Sequence, residues 1–254
     1  MNSDSTFRED ASHLWRTLRP VLLVLGFILG ATITSLLVGI IGVIVLDFTA
    51  PASQRSPATV FLVAGALGEI GYAVFVGGLL YWKTDLLPDG LPIRLPTRRD
   101  VLWVLGGTIV MVVAEYALTI LFSYFHIPTA QNAAALEATK HASSLMFGGL
   151  IVESLLIIGP CEEVLFRGLI QGYLRNHFSA VGSILLASLF FASAHLLSVQ
   201  GSTTGVLNMI LSLFGLSLVL GFAYERTNSL LVPVLIHGSY DAILFAGLGL
   251  TLLH

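Results

Sequence analysis

Charge is what this sequence has little of. Only 11% of its 254 residues are Asp, Glu, Lys or Arg, against about 25% in a soluble domain. In their place, 56% are hydrophobic and the mean hydropathy is +0.89. The deficit excludes an ordinary water-solvated surface. Cysteine is almost missing: Cys161 stands alone, which excludes an internal disulfide framework and any CxxC zinc module. A net charge of −3 offers no basic face for nucleic acid. Internal repeats and the alternating pattern of barrel strands are also missing from the sequence.

What is present is a series of long apolar runs. Only helices and closed barrels satisfy the backbone in hydrocarbon, and about 20 apolar residues cross it as a helix. Seven runs qualify: 20–46, 58–82, 101–125, 144–175, 179–197, 205–225 and 229–253. The fold class expected is therefore all-α, a polytopic transmembrane helix bundle of about seven spans. Val21 to Leu46 is 26 residues long, too long for the about 7–15 residues of a signal-peptide core, so it reads as a retained span. The fourth run contains Pro160, which predicts a kink or a broken start near Gly159-Pro160.

Three regions follow: a polar N-terminal tail at 1–19, helices and loops at 20–143, and a core at 144–254 that holds most of the unusual residues. The connection 126–143 has helix-forming composition suited to the interface. Arg8, Arg16, Arg19, Lys83, Arg94, Arg98, Arg99, Arg175 and Arg226 fall on one side of the seven-span topology, and only Arg55 and Lys140 on the other. That bias predicts a multi-pass protein of the cell membrane with its N-terminus in the cytoplasm.

Three clusters of ionisable residues interrupt the late runs: Glu162, Glu163 and Arg167; His195; His237 and Asp241. A charge at mid-span costs about 2.5–3.5 kcal/mol on insertion scales, so such residues face the bundle interior and mark functional sites. Glu163 and Arg167 stand i,i+4 with the acid first, the better orientation for an ion pair. Glu162 points about 100° away and is left for chemistry. His237 and Asp241 share a face at i,i+4, where a carboxylate can hold an imidazole in one tautomer. The bland reading of the same pair is a hydrogen bond gluing spans together. His195 follows Phe190 and Phe191 near the end of its span.

These residues, in order and on separate spans, resemble the three-motif pattern of the CPBP family: Glu162-Glu163-x3-Arg167-Gly168, Phe191-x3-His195 and His237-x3-Asp241. That family includes the type II CAAX prenyl endopeptidases and the bacteriocin-processing, Abi-like proteins. GFAYERTNSLLVPVLIHGSYDA is similar to the family's penultimate helix, loop and last motif, so the resemblance spans roughly 145–245. The first three spans add only hydrophobicity to it. It implies an intramembrane endopeptidase in which Glu162 activates a water with help from His195. Glu163 and Arg167, with Phe191, would support the site, and His237 with Asp241 would bind metal or stabilise the oxyanion. Many members carry Asn where this chain has Asp241. An Asp donates to an oxyanion only when protonated.

Two chemistries stay open at this point. A glutamate in a water-excluded cavity can take a proton and return it. Glu162, His195 and His237 also make a His2Glu set for Zn2+. The substrate expected is a membrane protein or peptide, prenylated CAAX-type or other, and the further partner is the lipid bilayer, with no nucleic acid. The alternatives are a non-proteolytic scaffold or regulatory protein on the same fold, or a proton-coupled transporter using Glu162, His195 and Asp241 as a relay. Counted from the inner ends of their spans, His237, Glu162 and His195 lie about 8, 13 and 17 residues deep, a spread of roughly 13 Å. A site requires tilted, offset or broken spans.

Overall fold

The computed structural model describes residues 3–51, 53 and 55–253, with side chains from residue 15 onward. The first two residues of the polar tail, and the side chain of Arg8, lie outside the described residues. Eight helices run in order: α1 (Ser3–Thr49), α2 (Pro57–Trp82), α3 (Arg98–Tyr124), the short α4 (Ala133–Lys140), α5 (Ser144–Arg175), α6 (Ala180–Leu197), α7 (Thr203–Thr227) and α8 (Leu231–Leu252). All but α4 are long and apolar enough to cross a membrane, seven in total. The protein is an all-α, multi-pass membrane bundle. Its span limits agree with the apolar runs to within a few residues, although α1 continues back through the polar tail to Ser3.

The sequence marks most helix starts chemically. Ser56, Thr97, Asn132, Ser143, Ser179 and Ser202 each accept a hydrogen bond from a backbone N–H three residues on, which satisfies donors that lipid cannot. At α3 the reciprocal bond from Asp100 completes a capping box. Arg94 then binds both Asp100 oxygens and the Thr227 carbonyl at 2.6 Å, tying the start of α3 to the end of α7. That end turns at Asn228, whose left-handed φ of 47° suits asparagine.

The connection 126–143 is more structured than its composition suggests. It holds α4 and β1 (Gln131–Asn132), and β1 pairs antiparallel with β2 (Val199–Gln200). This two-stranded ribbon joins the α3–α5 connection to the α6–α7 loop four residues beyond His195.

The fourth span differs from expectation in an instructive way. Pro160 does not break α5. Instead the helix runs through two π-helical stretches, Ser154–Ile158 and Val164–Gln171, on either side of Gly159–Glu163. Proline lacks the N–H that an α turn needs, and widened turns absorb the mismatch while the rod stays continuous.

α5 packs against α2, α6 and α8, and its crossing with α8 is the tightest near the ionisable residues. A Cβ on Gly238 would stand 2.6 Å from the Ser154 carbonyl, and one on Gly159 would stand 2.9 Å from the Gly238 nitrogen. Small residues let backbones approach in a membrane, where lipid removes any hydrophobic drive between helices. Gly238→Val is expected to lower stability by about 1–3 kcal/mol, read as thermal unfolding of purified protein in detergent. Gly148→Val, which meets nothing within 4 Å, should stay within about 0.5 kcal/mol of wild type.

Candidate active site

The carboxylate of Glu163 is fully buried and doubly bonded. One oxygen accepts from Arg167 Nε at 2.9 Å and the other pairs with His237 Nδ1 at 2.9 Å. The carboxylate can only accept, so Nδ1 of His237 carries the proton. Arg167, also fully buried, gives an Nη2 bond to Ser217 on α7 at 2.8 Å, and its Cζ lies 5.3 Å from the centre of the Phe191 ring on α6. Phe191 also stands 4.7 Å from His195 and 5.8 Å from His237, ring centre to ring centre. Four helices therefore meet on one acid–base pair.

Glu162 is placed differently. Its Oε1 lies 3.9 Å from His195 Nε2 and its Oε2 lies 3.9 Å from His237 Nε2. Neither distance is a hydrogen bond, and Oε2 is buried without a partner among the described residues. Adjacent glutamates thus flank one imidazole, Glu163 at Nδ1 and Glu162 at Nε2. His195 sits where α6 tightens into a 3-10 turn, and its Nδ1 donates to the Phe191 carbonyl at 2.8 Å. That too leaves Nε2 toward Glu162.

The expected spread in depth is overcome because distance along a helix is not depth in a membrane. At 32 residues, α5 is about 48 Å long against a hydrocarbon core of about 30 Å. Its excess length must tilt or project. Glu162, His195, His237 and Asp241 all converge, with Glu163, Arg167 and Phe191 around them.

Asp241 lies 3.4 Å from His237 Nε2, so the atom it meets is the one facing Glu162. Orientation of the ring falls to Glu163 through Nδ1, a bond that i,i+4 spacing does not reveal. The His195 and Asp241 side chains are each 21% exposed, against 11% for Glu162 and 0% for Glu163. The site therefore opens on the His195–Asp241 side.

The early spans contribute more than hydrophobicity. Glu69 on α2 lies close enough to Glu162, His237, Asp241 and Glu153 to interact electrostatically, and its Oε2 is buried without a partner among the described residues. Glu115 on α3 accepts from the Tyr240 hydroxyl at 3.3 Å, one residue before Asp241. An acid at mid-run was the available signal for both.

The set left open for Zn2+ was Glu162, His195 and His237. Its donor types suit zinc. However, no group of three His, Cys, Asp or Glu side chains among the described residues is arranged to hold a metal ion.

Residues 143–243 match the family model described as Type II CAAX prenyl endopeptidase Rce1-like. That match agrees with the resemblance carried by the three motifs and covers less than half of the chain. The match covers α5 to α7 and α8 as far as Ile243, and so every residue of the cluster except Glu69 and Glu115. Comparison with curated proteins and with solved structures returned no match.

The two glutamates should separate on mutation. Glu163→Gln strands Arg167 without its counter-charge, which costs about 3–5 kcal/mol for a broken buried pair. Glu162→Gln removes an unpaired carboxylate and should unfold at or above the wild-type temperature. Thermal unfolding of both variants in one detergent checks the contrast.

Proposed function

We propose that the protein hydrolyses peptide bonds of membrane-associated substrates with a water that Glu162 and His195 activate. One observation carries this reading: His195 and His237 both turn Nε2 toward Glu162 at 3.9 Å, while both Nδ1 atoms are engaged elsewhere. In neutral rings Nε2 is then an acceptor. A carboxylate facing two acceptor nitrogens across that gap is matched by a water, which donates to Glu162 and to an imidazole at once.

The steps follow from these positions. Glu162 takes a proton as the water oxygen bonds to the peptide carbonyl carbon, and the carbonyl π pair moves to its oxygen. In its protonated form Asp241, whose Oδ2 lies 3.4 Å from His237 Nε2, supplies the donor for that oxyanion. On collapse the C–N bond breaks, and Glu162 returns its proton to the leaving nitrogen. A carboxyl and an amine result. The excess of Lys and Arg on one side supports a cell-membrane protein with its N-terminus in the cytoplasm.

Purified protein in detergent, offered a peptide library that includes isoprenylated CAAX-type peptides, should cleave some members. Glu162→Gln and His195→Ala should each lose about 10²–10⁴-fold while remaining folded. Cleavage is expected to survive a chelator. Loss on chelation with recovery on adding Zn2+ would replace this scheme with a metal one, and retained cleavage in Glu162→Gln would end it.

Asp241 gives an independent check. Asp241→Asn keeps a donor and should fall by about tenfold or less, whereas Asp241→Ala should fall by about 10²–10³-fold, as for loss of an oxyanion donor. Equal losses in the two variants would show that ionised Asp241 is required.

A further inference from the structure

Away from the acid–imidazole cluster, α3, α6 and α7 enclose an apolar groove of about 900 Å³. Each helix presents one stripe to it, including Leu102, Trp103 and Val110 on α3, Ile184 on α6 and Phe222 on α7. The groove lies at the end of the bundle where α3 and α6 begin and α7 ends, and Arg99 lines it there. Arg226, one turn beyond Phe222 on the same stripe, stands with its Cζ 4.8 Å from that ring centre.

Neither arginine has an acid to neutralise it among the described residues. The two carboxylates at this end of α3 and α7 are already used, Asp100 by Arg94 and Glu225 by Arg175. An apolar slot with two uncompensated cations at its mouth is complementary to an acyl chain carrying an anionic head. The length agrees. From residue 99 to residue 110 along α3 is about 16 Å, roughly half of a 30 Å hydrocarbon core. One leaflet's acyl chain fits between the head position and the midplane.

We propose that this groove is a binding site for an anionic phospholipid, its phosphate held by Arg99 and Arg226 and its chain lying along Trp103 and Phe222. Basic pockets between spans recognise anionic head groups at about 1 kcal/mol per Lys or Arg, or roughly fivefold in affinity for each charge. Ile236 of α8 backs the groove beneath Gly107, so the site is walled off from His237 and independent of the hydrolytic reading.

Trp103 provides the readout. In the full chain carrying Trp15→Phe and Trp82→Phe, it is the sole tryptophan. The protein is reconstituted in phosphatidylcholine nanodiscs and titrated with phosphatidylglycerol brominated on its acyl chain, against brominated phosphatidylcholine. Quenching by the anionic lipid should reach half-maximum at a roughly 25-fold lower mole fraction, about fivefold for each arginine. Arg99→Gln and Arg226→Gln should each remove about a fivefold preference without reducing maximal quenching. Gly106→Leu, whose Cβ meets nothing within 4 Å, should fill the slot and weaken quenching by both lipids. Equal quenching by the two lipids, or a preference untouched by either arginine variant, overturns the proposal. Displacement by an isoprenylated peptide but not by unbrominated phosphatidylglycerol would also overturn it and assign the groove to substrate.

Discussion

The carboxylate of Glu163 is the contact on which the rest depends. It has two oxygens, and each meets a partner on a different part of the bundle: Arg167 within α5 and His237 on α8. Arg167 extends the link to Ser217 on α7 and to the Phe191 ring on α6. Buried charges are tolerated only when paired and hydrogen-bonded, and removing one member leaves the other stranded. Inside a bilayer no water can compensate. This acid therefore specifies which helices meet and in what rotation, beyond any energy that it adds.

Steric shape and electrostatics agree at that crossing. Gly159 and Gly238 let the α5 and α8 backbones approach within contact distance, one turn from Glu163 and one residue from His237. Helix association in lipid relies on such close packing and on polar contacts. The π-helical turns on both sides of Gly159–Glu163 keep the helix continuous through Pro160. One continuous helix carries both glutamates past α6 and α8 together.

Much of this was legible in the sequence, for physical reasons. Apolar runs announce spans because the bilayer imposes a length, and the runs located all seven. The pairing of Glu163 with Arg167 followed from i,i+4 spacing. The bond between Glu163 and His237 did not, because it joins residues 74 apart and no periodicity encodes contacts between helices. Spacing placed Asp241 beside His237, which it meets at Nε2, but for the same reason could not show that the distant Glu163 holds Nδ1. Glu69 and Glu115 were overlooked because each stands alone in its run. A lone acid has no pattern, yet the fold brings Glu69 among the other carboxylates. Of the kink or broken start expected at Pro160, the break is absent, because proline forbids one hydrogen bond and does not dictate how the helix accommodates its loss.

The contrast between neighbouring glutamates follows from position alone. Only the residue four before Arg167 can pair with it along the helix, so 163 carries the structural charge and 162 cannot. One step around the helix, Glu162 is turned to the space between two imidazoles whose Nδ1 protons are already committed. It is left with no donor of its own, which is a cost to folding and the condition for acting as a base. Proteins concentrate such unpaired, costly groups where function needs them and satisfy them elsewhere. Here the satisfied and the unsatisfied carboxylate are consecutive residues, and the first holds open the setting in which the second can react.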